Sequence, residues 1–66
     1  MMQIIDAATA AERLRAEGMR ISPTTLRDGL RQGVFPFGVC VMSERGTPIC
    51  HVFVRQLEAW IAERSA

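Results

Sequence analysis

The sequence predicts one small α+β domain: two N-terminal helices, a two-stranded antiparallel β-hairpin and a closing helix. Three observations carry this reading. Glycines and prolines divide the 66 residues into short segments, with no repeat and no linker. Before Gly33 the apolar residues recur at helical spacing, and after Pro36 they gather in β-branched runs. A chain this size buries only about 60% of the surface it exposes unfolded, so residues 1–66 share one thin core without a deep cavity.

The first helix is expected from Ala7 to Glu17. Asp6 is a good N-cap, Ala10, Ala11 and Leu14 form an apolar edge, and Gly18 stands where a C-cap needs positive φ. The second begins at the clearest local signal, Ile21-Ser22-Pro23-Thr24-Thr25-Leu26. Ser22 is the N-cap, and Pro23 takes the first helical position, where a missing N–H costs nothing. Ile21 and Leu26 are placed to form a hydrophobic staple. This helix is expected to reach about Gln32, with Gly33 stopping it. Leu26 and Leu30 face inward, Thr24, Asp28 and Arg31 outward, and Thr25, Arg27 and Gln32 lie on the shoulders.

Val39–Met42 and Ile49–Phe53 read as strands flanking a polar loop centred on Arg45-Gly46. About Arg55 to Arg64 forms the last helix, with Leu57, Trp60 and Ile61 on one stripe. Leu26, Leu30, Leu57, Trp60 and Ile61 are expected to pack together under the hairpin. The four aromatics, Phe35, Phe37, Phe53 and Trp60, read as core rather than as a platform for stacking bases.

Two helices joined by the tight turn Gly18-Met19-Arg20-Ile21, then a hairpin and a helix, make a winged helix-turn-helix. All eight basic residues are arginine, the better fork for phosphates and guanine edges. The formal net charge is only +1, but it is unevenly spread. Arg20, Arg27, Arg31, Arg45 and Arg55 stand against Asp28 and Glu44 in the middle of the chain. Asp6, Glu12, Glu17, Glu58 and Glu63 outnumber Arg13, Arg15 and Arg64 at its ends.

The chain resembles the small excisionase-like, MerR-related winged helix-turn-helix proteins of phages and integrative elements. The matching stretches are Thr9-Ala10-Ala11-Glu12-Arg13-Leu14, Ser22-Pro23-Thr24-Thr25-Leu26-Arg27 and Leu57-Glu58-Ala59-Trp60-Ile61. The most specific lies in Leu30-Arg31-Gln32-Gly33-Val34-Phe35-Pro36-Phe37-Gly38. The resemblance implies sequence-specific binding of double-stranded DNA, with the second helix in the major groove and the hairpin tip in the minor groove. An excisionase-like directionality factor would associate cooperatively with further copies on DNA, bend it and assist an integrase. A small transcription regulator would use the same surface. A third reading keeps the fold as a protein-interaction module for a repressor or an integrase.

The expected DNA face comprises Ser22, Thr24, Thr25, Arg27, Asp28 and Arg31 on the second helix. Ser43, Arg45 and Thr47 are the expected wing contacts, and Arg20 and Arg55 the candidate phosphate clamps. The bland alternative is a solvated surface on which these arginines pair with nearby acids. Asp28 would repel phosphates unless it accepts from a cytosine amino group or orients a neighbouring arginine.

No phosphate loop, protected carboxylate pair or nucleophile–base pair is legible, so no enzyme and no cofactor are expected. Cys40, Cys50 and His51 lack the spacing of a metal site. Without a basic leader or a long apolar run, the expectation is a cytoplasmic protein with no membrane partner. There Cys40 and Cys50 would face each other across the hairpin as free thiols with a packing role.

Overall fold

Polar caps start the two N-terminal helices in the computed structural model, which describes residues 1–65. Asp6 accepts the Thr9 backbone N–H at 2.8 Å and opens α1, Ala7–Ala16. Ser22 Oγ accepts the Thr25 N–H at 3.2 Å and opens α2, Pro23–Arg31. Ile21 and Leu26, on either side of that cap, are both buried. The helices end alike. Gly18 and Gly33 adopt φ of 99° and 76°, and the N–H groups of Met19 and Val34 return to the carbonyls of Leu14 and Gly29. Each glycine thereby closes its helix by satisfying carbonyls that would otherwise lack a partner.

The strands are β1 (Ile4–Ile5), β2 (Gly38–Met42) and β3 (Pro48–Phe53), and α3 follows directly over Val54–Arg64. They form a three-stranded antiparallel sheet in the order β1-β3-β2, one strand more than the expected hairpin. Ile4 and Ile5 pair with Phe53 and Val52. The β-branched pair just before Asp6 suits a strand, and it gives β3 a partner on the edge that the hairpin leaves open. Strands β2 and β3 are joined by five residues, Ser43 to Thr47, centred on Arg45 as the sequence predicts. Gly46 N–H donates to the Ser43 carbonyl, Ser43 N–H to the Thr47 carbonyl, and Thr47 N–H to Ser43 Oγ. Within this connection the Ser43/Thr47 bonds enclose Glu44-Arg45-Gly46, with left-handed Gly46 at φ 78°.

Cys40 and Cys50 are joined as a disulfide, which corrects the reading of free thiols. The register sets them directly opposite, with Cα atoms 4.0 Å apart. Hydrogen bonds at Ser43/Thr47 and Phe37/Phe53 place this pair at a position without ladder hydrogen bonds, where side chains come closest. Pairing geometry, not compartment, sets the proximity.

Ala7, Ala10, Ala11 and Leu14 of α1 meet Leu26 and Leu30 of α2, Leu57 and Ile61 of α3, Val52 of β3 and Phe37 in one core. Phe37 has no exposed surface, whereas Phe35, Phe53 and Trp60 are half-buried. Trp60 therefore borders the core, where the stripe on α3 predicted it inside. It meets Phe37 edge-on at 5.3 Å, Phe35 stacks on Phe37 at 5.1 Å, and the Arg64 guanidinium covers the indole at 4.1 Å. Gly29 admits Phe35 against α2: a Cβ there would lie 2.3 Å from its ring. No helix among the described residues is long and apolar enough to cross a membrane.

Candidate nucleic-acid interface

Burying Leu26 and Leu30 turns the opposite side of α2 outward. Thr24, Thr25, Arg27, Asp28 and Arg31 are all exposed, as is Ser22 at the cap. Ser22 and Thr25 already serve each other: Ser22 Oγ caps the helix and donates to Thr25 Oγ1 at 3.0 Å. Thr24, Arg27, Asp28 and Arg31 make no side-chain hydrogen bond among the described residues. Asp28 in particular forms no ion pair with Arg27 or Arg31, so the structure gives it no role in orienting either one.

The ion pairs separate the arginines into two groups. Arg13 bonds Glu58 and Glu17, and Arg64 lies beside Glu63. These cations belong to the acid-rich ends of the chain. Among the described residues, Arg15, Arg20, Arg27, Arg31, Arg45 and Arg55 have no carboxylate partner within ion-pair distance, and all six are exposed; Arg15 lies on α1 and the other five in the middle of the chain. The bland alternative of paired surface arginines does not describe these six. One weak attraction remains. The Asp6 carboxyl is held below its ordinary range chiefly by hydrogen bonds from Thr9, and the nearby charge of Arg27 adds a little.

The sheet brings only part of the expected surface together. Arg31 shares a shallow groove with Cys40, Val41, Met42 and Pro48, so α2 and the outer half of the hairpin border one concavity. Arg45 stands exposed at the turn, and Thr47 is exposed beside it. Ser43 is half-buried, and its hydroxyl holds the turn together, a structural role that its position in a polar loop did not reveal. Arg55 lines a different groove, with Met1, Met2, Gln3, Phe53, Val54 and Gln56. Arg20 stands exposed in the α1–α2 connection.

Sequence reasoning missed the outward face of the sheet. Strand alternation turns Val39, Val41 and Ile49 away from the core, and Ile4 joins them through its pairing with Phe53. The β-branched pattern carried the signal, but without a register it could not say which residues face out. No cluster of three or more His, Cys, Asp or Glu side chains among the described residues could hold a metal ion. No family model, curated protein or solved structure matches this chain.

Proposed function

We propose that the protein binds double-stranded DNA as a winged helix-turn-helix, with α2 in the major groove and the β2–β3 tip in the adjacent minor groove. The observation that carries this reading is that all five arginines in the middle of the chain, Arg20, Arg27, Arg31, Arg45 and Arg55, are exposed and without carboxylate partners among the described residues. An arginine without an intramolecular partner gives up no ion pair when it meets a phosphate or a guanine edge. Arg27 and Arg31 are the base-reading candidates, Arg45 the minor-groove probe, and Arg20 and Arg55 the backbone clamps. Thr24, Thr25, Ser22 and Thr47 add hydroxyls along the same elements. Asp28 fits only as an acceptor for a cytosine amino group.

Within this reading the chain acts as an excisionase-like directionality factor, associating with further copies on DNA and assisting an integrase. The same surface would serve a transcription regulator. The exposed valines and isoleucines of the sheet favour a second reading, in which the domain docks on a protein such as a repressor or an integrase. Titration of duplex fragments from the source genome at two salt concentrations separates them. Tight, saturable and salt-sensitive binding supports the DNA reading. Failure to bind any fragment, with a stable complex formed by a co-purifying protein, supports the second.

A further inference from the structure

The outer half of the hairpin has little to hold it in place. Val41 and Met42 are more than half exposed, Ile49 is 43% exposed, and none of the three belongs to the core. The buried anchors of the sheet, Phe37 and Val52, lie at its other end. Between the anchors and the tip stands the Cys40–Cys50 bond, one rung that ties β2 to β3 and encloses Val41–Ile49. It also touches α2. Cys40 Sγ lies 3.9 Å from the Arg27 carbonyl oxygen, a packing contact, since a bonded sulfur carries no proton to donate. Cys40 lines the groove that holds Arg31.

We infer that this disulfide is a redox latch: oxidised, it holds the hairpin tip in register beside α2, and reduced, it frees the tip while the core stays folded. Both cysteines are half-buried, and the groove that Cys40 lines beside Arg31 gives a small thiol a route to the bond. The chemistry is thiol–disulfide exchange with an external dithiol. One thiolate of the dithiol attacks Cys40 or Cys50, forms a mixed disulfide and releases the other cysteine as a thiolate. The second external thiol then displaces the mixed bond. Two electrons pass to the protein, which gains two thiols after protonation, and the dithiol leaves as a disulfide. A low-molecular-weight disulfide such as oxidised glutathione reverses the exchange.

The core is built mainly from other residues. Leu14, Leu26, Phe37, Val52 and Leu57 are fully buried, while Cys40 and Cys50 pack against its edge and keep their side chains there when the bond is reduced. Reduction therefore restores freedom to the loop that the bond closes and leaves the helices in place. The functional consequence rests on the DNA-binding reading: Arg45 at the freed tip loses its fixed position relative to Arg27 and Arg31, and affinity falls.

The test compares the full chain oxidised, reduced with dithiothreitol and carrying Cys50→Ser. Amide hydrogen exchange and a duplex titration are measured on each. Expected are exchange at Val41 and Ile49 that is about 10- to 100-fold faster on reduction, unchanged protection at Leu26 and Val52, and several-fold weaker DNA binding. Cys50→Ser should behave like the reduced protein in both states. Unchanged exchange at Val41 and Ile49 overturns the latch, whatever the DNA result. Faster exchange with equal DNA affinity overturns the coupling and leaves DNA binding intact. Faster exchange with no DNA binding in either state supports the latch and overturns the DNA-binding reading together with its coupling.

Discussion

Arg13 of α1 and Glu58 of α3 form a two-pronged pair, Nε to Oε2 at 2.8 Å and Nη2 to Oε1 at 2.6 Å, across 45 residues of sequence. Arg13 also holds Glu17, the C-cap residue of α1, at 2.7 Å. One cation thus ties the first helix to the last and is balanced by two carboxylates. The pair stands in solvent, so screening limits its effect on stability. In a double-mutant cycle of Arg13→Ala and Glu58→Ala, the coupling should be favourable at low salt and shrink as salt rises. Coupling that does not respond to salt would count against an electrostatic tie.

The N-cap of α1 predicts a specific acid response. Hydrogen bonds from Thr9, with a small contribution from the charge of Arg27, hold the Asp6 carboxyl below its ordinary value of 3.8. A carboxylate whose pKa is lower folded than unfolded stabilises the fold above the unfolded value, and that stabilisation disappears as pH falls through the folded value. Thermal melts should therefore show a loss of stability below about pH 4. Asp6→Asn keeps a capping oxygen but cannot titrate. The stability difference between wild type and Asp6→Asn should thus be largest near neutrality and close toward pH 2.

Gly29 is the position where a better helix former should destabilise the protein. Alanine gains up to about 1 kcal/mol of intrinsic propensity within a helix. Its Cβ would meet the Phe35 ring at 2.3 Å, and that ring is held between Phe37 and Trp60. Overpacking of this kind costs roughly 1–3 kcal/mol, so the net effect of Gly29→Ala should be a loss. Combining it with Phe35→Leu, which removes the ring edge, should abolish the penalty in chemical denaturation.

Phe37 should matter more to stability than Trp60. Phe37 is fully buried, and Phe37→Ala should cost about 3–5 kcal/mol, much of the stability a domain this small is expected to have. Trp60 keeps one side in solvent beneath Arg64, so Trp60→Ala should cost less and leave a cooperative melt. The reverse order, measured by circular dichroism, would move the centre of the core to α3.

Arg45 tests the wing. Its place at the exposed tip predicts that Arg45→Ala leaves stability within about 0.5 kcal/mol. On DNA the variant should bind more weakly, with a salt slope lower by about one. Arg27→Ala and Arg31→Ala should each cost about 1–3 kcal/mol on the specific site if the residue reads a base, and less on random DNA. Coincident salt titrations of wild type and Arg45→Ala would remove the hairpin from the DNA surface.

Both cap residues, both helix-ending glycines and the centre of the hairpin were legible in the sequence. Each depends on groups within about one turn of the chain: Asp6 on Thr9, Ser22 on Thr25, Gly18 on the carbonyls just before it. Such interactions form wherever the local sequence permits, so local patterns reveal them. The exposed side of α2 followed in the same way from the spacing of Leu26 and Leu30. Only the tertiary structure decided that Ile4 and Ile5 pair with Phe53 and Val52, that Cys40 and Cys50 bond, and that Arg13 spends its charge on Glu58. It also decided that Phe37, and not Trp60, sits wholly inside. These outcomes depend on which distant surfaces meet once the helices close over the sheet. Residue type and spacing alone cannot choose among several partners of equal chemistry, and packing in three dimensions leaves room for only one.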